Sequence, residues 1–219
     1  RKVASIGTLG VKSNNKYINL SNTTTDPIQL GKILNYLKNQ KVDDVILEAS
    51  SHGLSQNRLD GLKFNSGIFT NLSQDHLDYH KNLKDYLIAK LYLFEKLLSI
   101  KGNVITDEKI PEFKNIKKIA VNRNLKIYSI NNPKNRFKIL SHYFVGEKQM
   151  LTIKYKNLIK NIKLNLIGKI QLKNIMMAII AAQKSNLSLN KILGVIPKIR
   201  SVEGRLEKIG NIKNKSTVI

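Results

Sequence analysis

The chain has 219 residues, no cysteine and a formal net charge of +23, with 38 Lys and Arg side chains against 15 Asp and Glu. The absence of cysteine excludes disulfides and thiolate metal sites, and it favours a reducing, cytoplasmic compartment. Apolar residues make up 42% of the chain, enough for a buried core. No apolar run approaches the roughly 18–20 residues that a membrane span needs.

The positive charge is spread along the whole chain and is mostly lysine, because arginine occurs at only six positions. Nucleic-acid sites that read bases use arginine forks and stacking aromatic rings, and aromatic residues make up only 6% here. Lys, Asn and Ile are all abundant and share AT-rich codons, so a biased genome is a sufficient explanation of the charge. A basic nucleic-acid-binding domain remains the alternative from a different functional class.

The first half of the chain alternates short apolar runs with helical patterns, which predicts a parallel sheet. KVASIGTLG (2–10) predicts a buried strand that leads into a glycine turn, and Asp26-Pro27 predicts the start of a helix. DDVILEAS (43–50) and GIFTNL (67–72) predict central strands, with a polar loop or short helix between them. Further predicted elements are an amphipathic helix at 82–98 and the short strands GNVITD (102–107), KKIAV (117–121) and KIYSI (126–130).

The second half changes to the period-2 alternation of antiparallel strands, carried by FKILSHYFV, QMLTIKY and LIKNIKLNLI between 137 and 167. Two helices, at 170–185 and 188–197, and a strand within 201–210 are predicted to follow. The expected fold is therefore α/β, with a mainly parallel sheet flanked by helices and a small antiparallel β subdomain.

Polar residues cluster where three predicted strands end, the edge at which open parallel sheets bind ligands. Ser21–Thr25 come after the first strand, Glu48 and Ser50 end the second, and residues 71–76 follow the third. One carboxylate, one histidine and several hydroxyls suit a magnesium ion that bridges phosphates. Zinc without cysteine would need several converging histidines. A plainer interpretation of Glu48, as a surface acid or a helix cap, stays open.

The stretch FTNLSQDHLDYH (69–80) gathers four potential metal ligands within six positions, namely Asp75, His76, Asp78 and His80. Such crowding is poor geometry for magnesium, which takes few protein ligands and keeps its waters. The plainer interpretation is that Asp75 caps a turn and His80 packs against the following helix. Lys90 lies in the middle of that helix among apolar residues, where a lysine by default extends to solvent.

The longest distinctive stretch, EASSHGLSQNRLDGLKFNSGIFTNLSQDHLDYH followed by DYLIAKLYLF, resembles the central domain of the Mur ligases. SNTTTDP (21–27), GKIQLKNIMMAIIAA (168–182) and VEGRLEKIG (202–210) are similar to three further segments of that family. The resemblance covers the chain from Ser5 to Gly210, with weak matching over 100–165. It implies a P-loop-type ATPase domain at 1–210, with 211–219 as the start of a C-terminal ligase domain.

The resemblance is strongest to the branch that adds the third residue, diaminopimelate or lysine, to UDP-MurNAc-L-Ala-D-Glu. It implies that ATP phosphorylates the D-Glu carboxylate and that an incoming amine displaces the phosphate, in a monomeric cytoplasmic enzyme. Another Mur ligase or a folylpolyglutamate synthetase stays open as an alternative.

The resemblance also implies roles for individual residues. Glu48 binds a magnesium ion between the ATP phosphates, and His76 binds a second one beside the acyl phosphate. Lys90 matches a lysine that becomes carbamylated and completes the second site, because carbon dioxide reacts only with the neutral amine that a partly apolar site favours. Residues matching those that hold the UDP-MurNAc-dipeptide are Asn22, Thr23, Thr24, Ser50, Gln56 and Arg58, and those near the adenine and ribose are Asn174 and Arg205.

With this resemblance His76 is the only ligand expected within residues 69–80. Its neighbours Asp75, Asp78, Tyr79 and His80 are expected to shape the turn and to orient that histidine.

The sequence departs from the family pattern in two respects. No G-x-x-x-x-G-K-[ST] phosphate loop occurs, since neither Gly31-Lys32 nor Gly168-Lys169 has the required upstream glycine. Ile170 and Gln171 stand where the family has an aromatic residue and an asparagine, which puts the adenine contacts in doubt. The 219 residues are therefore expected to be an incomplete chain that is inactive alone.

Overall fold

The computed structural model describes residues 1–13, 16–130, 137–145, 148–155, 157–202, 210–211 and 217–218. Its contacts divide the chain into two compact units. The first comprises residues 1–67, 72–102 and 118–124, and the second comprises residues 68–71, 103–117 and 125–219. Within the described residues, no helix is both long enough and apolar enough to cross a membrane.

The first unit opens with a four-stranded sheet in the order β3-β2-β1-β4. Its strands are β1 (Val3–Gly7), β2 (Gly10–Ser13), β3 (Lys16–Ile18) and β4 (Asp44–Leu47). β1 and β4 are parallel, as expected for a mainly parallel sheet, and their register runs from Val3 opposite Asp44 to Ile6 opposite Leu47. The antiparallel hairpin of β2 and β3 is a feature that sequence analysis did not predict.

Helix α1 (Pro27–Asn39) connects the hairpin to β4, and it begins where the sequence predicts. The Asp26 carboxylate accepts a hydrogen bond from the Gln29 amide at 2.9 Å, and Pro27 occupies the first turn. These two residues fix the start of the helix because they satisfy an end donor and preset a helical backbone angle. The helix buries Leu30, Ile33 and Leu37 against the first unit's core.

The predicted loop or short helix is helix α2 (Ser51–Ser55), and it is followed by strand β5 (Phe64–Ile68). The predicted helix 82–98 consists of α3 (Leu83–Tyr92) and a π-helical turn (Leu93–Leu97). Strand β6 (Leu98–Thr106) begins at the next residue.

Strands β5, β6 and β7 (Lys126–Ser129) form a three-stranded sheet in that order. β6 and β7 are parallel, with Asn103 opposite Lys126 and Thr106 opposite Ser129. The prediction of a strand at 117–121 is wrong, because these residues lie in helix α4 (Phe113–Asn122). Ile116 and Ala120 are both buried four residues apart, so the run follows the period of a helix face rather than that of a strand.

The second unit contains an antiparallel sheet in the order β10-β9-β8, as predicted. Its strands are β8 (Phe137–Val145), β9 (Lys148–Tyr155) and β10 (Leu158–Leu164). Helix α5 (Lys169–Lys184), helix α6 (Leu189–Val195) and a 3₁₀ turn (Ile196–Lys198) follow and confirm the two predicted helices. Leu151, Ile153, Met176 and Met177 lie at the centre of this unit's core.

The last two strands, β11 (Gly210–Asn211) and β12 (Thr217–Val218), pair in an antiparallel manner. Most of the strand predicted within 201–210 lies outside the described residues. The α/β class, with parallel strand pairs flanked by helices and an antiparallel β part, is confirmed.

Candidate active site

Glu48 follows β4 directly, and its carboxylate is held against the end of β1. Oε2 of Glu48 accepts hydrogen bonds from the backbone amide and the hydroxyl of Thr8, both at 2.9 Å. A Cβ atom at Gly7 would lie 2.6 Å from the same oxygen. Because Gly7 has no side chain, the exposed carboxylate of Glu48 can lie directly against the backbone at the end of β1.

Thr24 joins the polar segment after β3 to the end of β4. This threonine is 2% exposed, and its hydroxyl donates to the Glu48 carbonyl at 2.8 Å and accepts from the Ser50 amide at 2.9 Å. Its neighbour Thr23 lies 2.9 Å from the Thr8 hydroxyl. Three of the residues implied by resemblance, Thr23, Thr24 and Ser50, are thus brought together around Glu48.

Helix α2 is fixed at its start by Ser50, whose hydroxyl accepts from the Gly53 amide at 3.1 Å. The helix lies very close to Thr24, because a Cβ atom at Gly53 would be 2.5 Å from the Thr24 Cβ atom. This close contact sets the direction in which α2 presents His52.

Arg58, just after α2, is oriented by three hydrogen bonds. Nη1 donates to the Thr24 carbonyl at 2.6 Å, while Nε and Nη2 donate to Oε1 of Gln56 at 2.9 and 2.5 Å. The Gln56 amide in turn donates to the Tyr79 hydroxyl at 3.0 Å. Arg58 and Gln56, two further predicted site residues, are thereby linked to Thr24 and to the segment 69–80.

Five aromatic side chains, which we call the ring cluster, gather beside α2: His52, His76, Tyr79, His80 and Tyr86. The His52 ring centroid lies 5.1 Å from His76, 4.0 Å from Tyr79 and 5.7 Å from His80. Tyr86 stacks on His80 at 5.0 Å with 16° between the ring planes, and it meets His76 edge-on at 5.8 Å. Three of the four histidines of the chain therefore occupy one small volume.

His76 is presented by a backbone conformation that is uncommon for a residue with a side chain, since its φ is +56°. The Asp75 carboxylate accepts from the His76 amide at 2.8 Å, and the His76 carbonyl accepts from the amides of Tyr79 at 3.2 Å and His80 at 2.8 Å. The imidazole itself is 44% exposed. The turn around it is thus built by its neighbours, while its ring remains open to a ligand.

Burial and neighbouring charges shift the ionisation of the ring cluster. Burial, reinforced by His52 and His76, lowers the pKa of His80, so this ring is neutral at pH 7. Burial, and then the Asp75 carboxylate, raises the pKa of the Tyr86 hydroxyl. Hydrogen bonds with Ser55 and Gln56 lower the pKa of Tyr79.

Lys90 is half-buried in the last turn of α3, and its Nζ atom lies 5.2 Å from the centroid of the Tyr86 ring. The two residues are four apart on the helix, the spacing at which side chains meet on one face. Since the same Tyr86 ring contacts His76, Lys90 and His76 share a neighbour.

Within the described residues, no three His, Asp or Glu side chains come close enough together to hold a metal ion. Residues 69–80 therefore do not form a compact four-ligand site, and the role of His76 as a single ligand from this stretch stays a prediction. The Glu48 carboxylate fits magnesium, which prefers oxygen ligands and needs few from the protein, whereas His76 offers a nitrogen, a less usual ligand for this ion. Glu48 offers an exposed carboxylate steadied through one oxygen, and His76 offers an exposed imidazole.

Three predicted site residues remain, and for two of them the structure describes the local surroundings. Asn22 is exposed and donates to the Ser21 hydroxyl at 3.4 Å. Asn174 is exposed on α5 in the second unit, next to Lys173, whose Nζ atom pairs with the Asp107 carboxylate at 2.8 Å. Arg205 is not among the described residues.

Sequence reasoning missed three contributors to the site: Thr8, Gly53 and Tyr86. Thr8 follows a predicted strand, so the rule that ligand-binding groups come after strands would have found it. Tyr86 precedes Lys90 by four residues on a predicted helix, which is also a readable signal. The role of Gly53 depends on its short distance from Thr24, and a local sequence pattern cannot predict the distance between two separate segments.

Comparison with known proteins places the chain in a class of enzymes. The sequence model of the Mur ligase middle domain matches residues 1–182, so the chain belongs to the Mur ligase family. Among curated relatives, the enzyme named UDP-N-acetylmuramoyl-L-alanyl-D-glutamate--2,6-diaminopimelate ligase of Zymomonas mobilis is 33% identical over 99% of this chain. Enzymes of the same name from Rickettsia conorii and Leptospira interrogans are 33% and 34% identical over 96% and 93% of it. The chain spans 41–45% of the length of these relatives.

Solved structures agree with the family assignment. A UDP-N-acetylmuramoyl-L-alanyl-D-glutamate--2,6-diaminopimelate ligase superposes with a TM-score of 0.83 and 27% identity over 97% of this chain and 44% of its own. The apo form of L. casei FPGS matches with a TM-score of 0.71 over 96% of this chain and 58% of its own. At 13% identity, the second match shows a shared fold only.

Proposed function

We propose that the chain is the central domain of an ATP-dependent ligase that joins diaminopimelate to UDP-MurNAc-L-Ala-D-Glu. Support comes from relatives named for that reaction, at 33–34% identity over nearly the whole chain. The observation that carries the proposal is that His76 and Lys90 share the Tyr86 ring as a neighbour, with an exposed Glu48 carboxylate at the end of β4. An open imidazole, a half-buried lysine and an acid at a strand end are the groups that the family resemblance implies for this chemistry.

In the proposed reaction, the D-Glu carboxylate attacks the terminal phosphorus of ATP and becomes an acyl phosphate, with release of ADP. The diaminopimelate amine then adds to the acyl carbon, and the tetrahedral intermediate loses phosphate and a proton to give the amide. The protein contributes mainly by positioning the reactants and neutralising charge. Magnesium, when bound, would supply charge neutralisation on the phosphate oxygens. Glu48 would hold one ion and His76, with Lys90, a second.

Lys90 is proposed to act as a carbamate. Its neutral amine would attack carbon dioxide, form an N–C bond and lose one proton, giving an anionic oxygen ligand. The side chain of Lys90 is half-buried, and its Nζ atom lies 5.2 Å from the Tyr86 ring centroid, so the amine that would react is held close to the protein. The carbamate is an anion, so the cation that it binds would stabilise it.

The nucleotide peptide is proposed to lie along the polar edge formed by residues 21–25 and the end of β4. Arg58 supplies a guanidinium whose fork suits a phosphate or a carboxylate. Asn22, Thr23, Thr24, Ser50 and Gln56 are the neighbouring polar groups of this proposed subsite. Asn174 and Arg205 remain the proposed contacts to adenine and ribose.

The central test is Lys90→Ala in the full-length protein. We expect turnover to fall by at least about 100-fold, because a ligand placed in the reacting centre is lost. High bicarbonate should not restore it, whereas a short carboxylic acid should restore part by replacing the carbamate. The measurement is ADP release together with mass spectrometry of the peptide product, with diaminopimelate and lysine as competing amines.

Lys84→Ala is the matched control, since Lys84 is an exposed lysine on the same helix. It should keep wild-type turnover. Unchanged turnover in Lys90→Ala would contradict the proposal.

A further inference from the structure

Tyr86 lies beside two of the proposed reacting groups, His76 and Lys90, although it takes no part in the proposed chemistry. It is 6% exposed, and its ring contacts three other side chains. His80 stacks on it at 5.0 Å, His76 meets its ring at 5.8 Å, and Lys90 Nζ lies 5.2 Å from its centroid. A ring in this position limits where both His76 and Lys90 can go.

His80 is the residue that holds Tyr86. It is 5% exposed, and its Nε2 atom is buried with no hydrogen-bond partner in the described part of the chain. A buried imidazole nitrogen without a partner is unusual, because desolvation of a polar atom is unfavourable. The His80 ring instead contacts other rings: it stacks on Tyr86 with 16° between the planes, meets Tyr79 edge-on at 4.9 Å and lies 5.7 Å from His52. Of these contacts, only the one with Tyr86 is a stacked arrangement.

The backbone of His80 gives it a second connection. Its amide donates to the His76 carbonyl at 2.8 Å, so His80 belongs to the turn that presents His76. Its ring packs on Tyr86, which belongs to α3, the helix that carries Lys90. One residue therefore couples the segment of the imidazole to the helix of the lysine.

We propose that His80 is a positioning residue that, by stacking on Tyr86, places Lys90 and His76 relative to one another. The inference rests on the proposed function of those two residues. Lysine has a flexible four-carbon side chain, so a rigid neighbouring ring helps to place its amine by restricting the stem. The Tyr86 ring is in a position to restrict the Lys90 side chain, and stacking on His80 keeps the Tyr86 ring in one orientation.

The test compares His80→Leu with His80→Phe in the full-length protein. The leucine variant fills the space but loses the flat face, whereas the phenylalanine variant keeps a ring that can stack. We expect His80→Leu to lower kcat by at least about tenfold, since small displacements of reacting groups are costly, with KM for the nucleotide peptide little changed. His80→Phe should restore most of kcat.

A second measurement does not depend on turnover. Carbon NMR of protein equilibrated with isotope-labelled carbon dioxide should show the Lys90 carbamate in the wild type and in His80→Phe. The signal should be weaker in His80→Leu, because the lysine is no longer held in place. Tyr92→Leu is the control, as it removes a ring from the same helix outside the ring cluster, and it should keep the carbamate signal.

The outcomes separate this inference from the proposed function. Full turnover in Lys90→Ala would overturn the proposed function, whatever the His80 variants do. Wild-type kcat and carbamate signal in His80→Leu, alongside an inactive Lys90→Ala, would overturn only the positioning role. Equal losses in His80→Phe and His80→Leu would also overturn it, because the face of the ring would then not matter.

If His80→Leu does not fold, a second pair of variants decides the same question. Tyr86→Phe should keep kcat and the carbamate signal, and Tyr86→Leu should lose both. Wild-type values in folded Tyr86→Leu would overturn the proposal.

Discussion

At the scale of single residues, Gly53 shows how little free space surrounds the segment that follows β4. An added Cβ atom would lie 2.5 Å from both Cβ and Cγ2 of Thr24. Thr24 has no freedom to move away, because its hydroxyl already bonds the Glu48 carbonyl and the Ser50 amide. Any side chain at Gly53 therefore disturbs the groups that hold the end of the sheet.

Gly53→Ala is expected to lower the free energy of unfolding by about 1–3 kcal/mol, the usual effect of overpacking. Gly31→Ala is the matched control, since Gly31 also lies in a helix and an added Cβ atom there meets nothing within 4 Å. It should raise the free energy by about 0.5–1 kcal/mol, because alanine loses less backbone entropy than glycine. Urea unfolding of both variants gives the comparison, and wild-type stability in Gly53→Ala would contradict the argument.

The sequence predicted single residues well wherever their role follows from position along a strand or helix. Glu48, Ser50 and Thr24 were expected near one another because they follow neighbouring strands, and their hydrogen bonds confirm it. Tyr86 and His80 were not expected to stack, because stacking depends on the path of the chain through residues 76–86. That path includes a positive φ at His76, a conformation that histidine adopts too seldom to be predicted from the sequence.

At the scale of elements, the π-helical turn Leu93–Leu97 ends the helix that carries Lys90. The Arg123 guanidinium donates to the Phe94 carbonyl at 2.8 Å and to the Leu98 carbonyl at 2.9 Å. Lys63 Nζ donates to the Lys96 carbonyl at 3.0 Å. These cationic side chains satisfy carbonyls that a helix leaves without partners at its end.

Arg123→Ala is expected to lower the free energy of unfolding by about 1–3 kcal/mol, because two carbonyls lose a charged donor. Lys63→Ala removes one exposed donor from the same turn and should cost less than about 0.5 kcal/mol. Thermal unfolding of the two variants measures the difference. Equal effects would mean that the bidentate contact of Arg123 does not stabilise the turn.

The sequence predicted this region as one unbroken helix because its apolar pattern continues through residue 98. A π-helical turn differs from an α-helix by one residue in hydrogen-bond spacing, and the contacts of Arg123 that accompany it come from elsewhere in the chain. The wrong strand at 117–121 has a related cause, since a short apolar run fits either period until its partners are known.

At the scale of the whole molecule, we expect the net charge of +23 to attract polyanions of any kind rather than one specific partner. Lysines spread along the chain attract polyanions, whereas sites that read bases use arginine forks and stacking aromatic rings. We therefore expect the charge to affect association and solubility rather than the recognition of a base sequence.

We expect the protein to bind two unrelated DNA duplexes of equal length with the same affinity. That affinity should fall steeply with salt, because binding is driven by counterion release. Fluorescence anisotropy at several potassium chloride concentrations makes the measurement. A preference for one duplex that persists at high salt would instead support a specific nucleic-acid function.

Strand β4 lies at the edge of its four-stranded sheet, and this position affects the tendency of the protein to aggregate. Among the described residues no strand pairs with its outer side, and Val45 and Ile46 are 39% and 64% exposed. An open, apolar strand edge is a template on which further chains add by backbone hydrogen bonding, the first step of aggregation. Repulsion between chains of charge +23 opposes that step. Salt screens this repulsion. High salt, which should abolish the binding of polyanions, should therefore also leave the β4 edge least protected against aggregation.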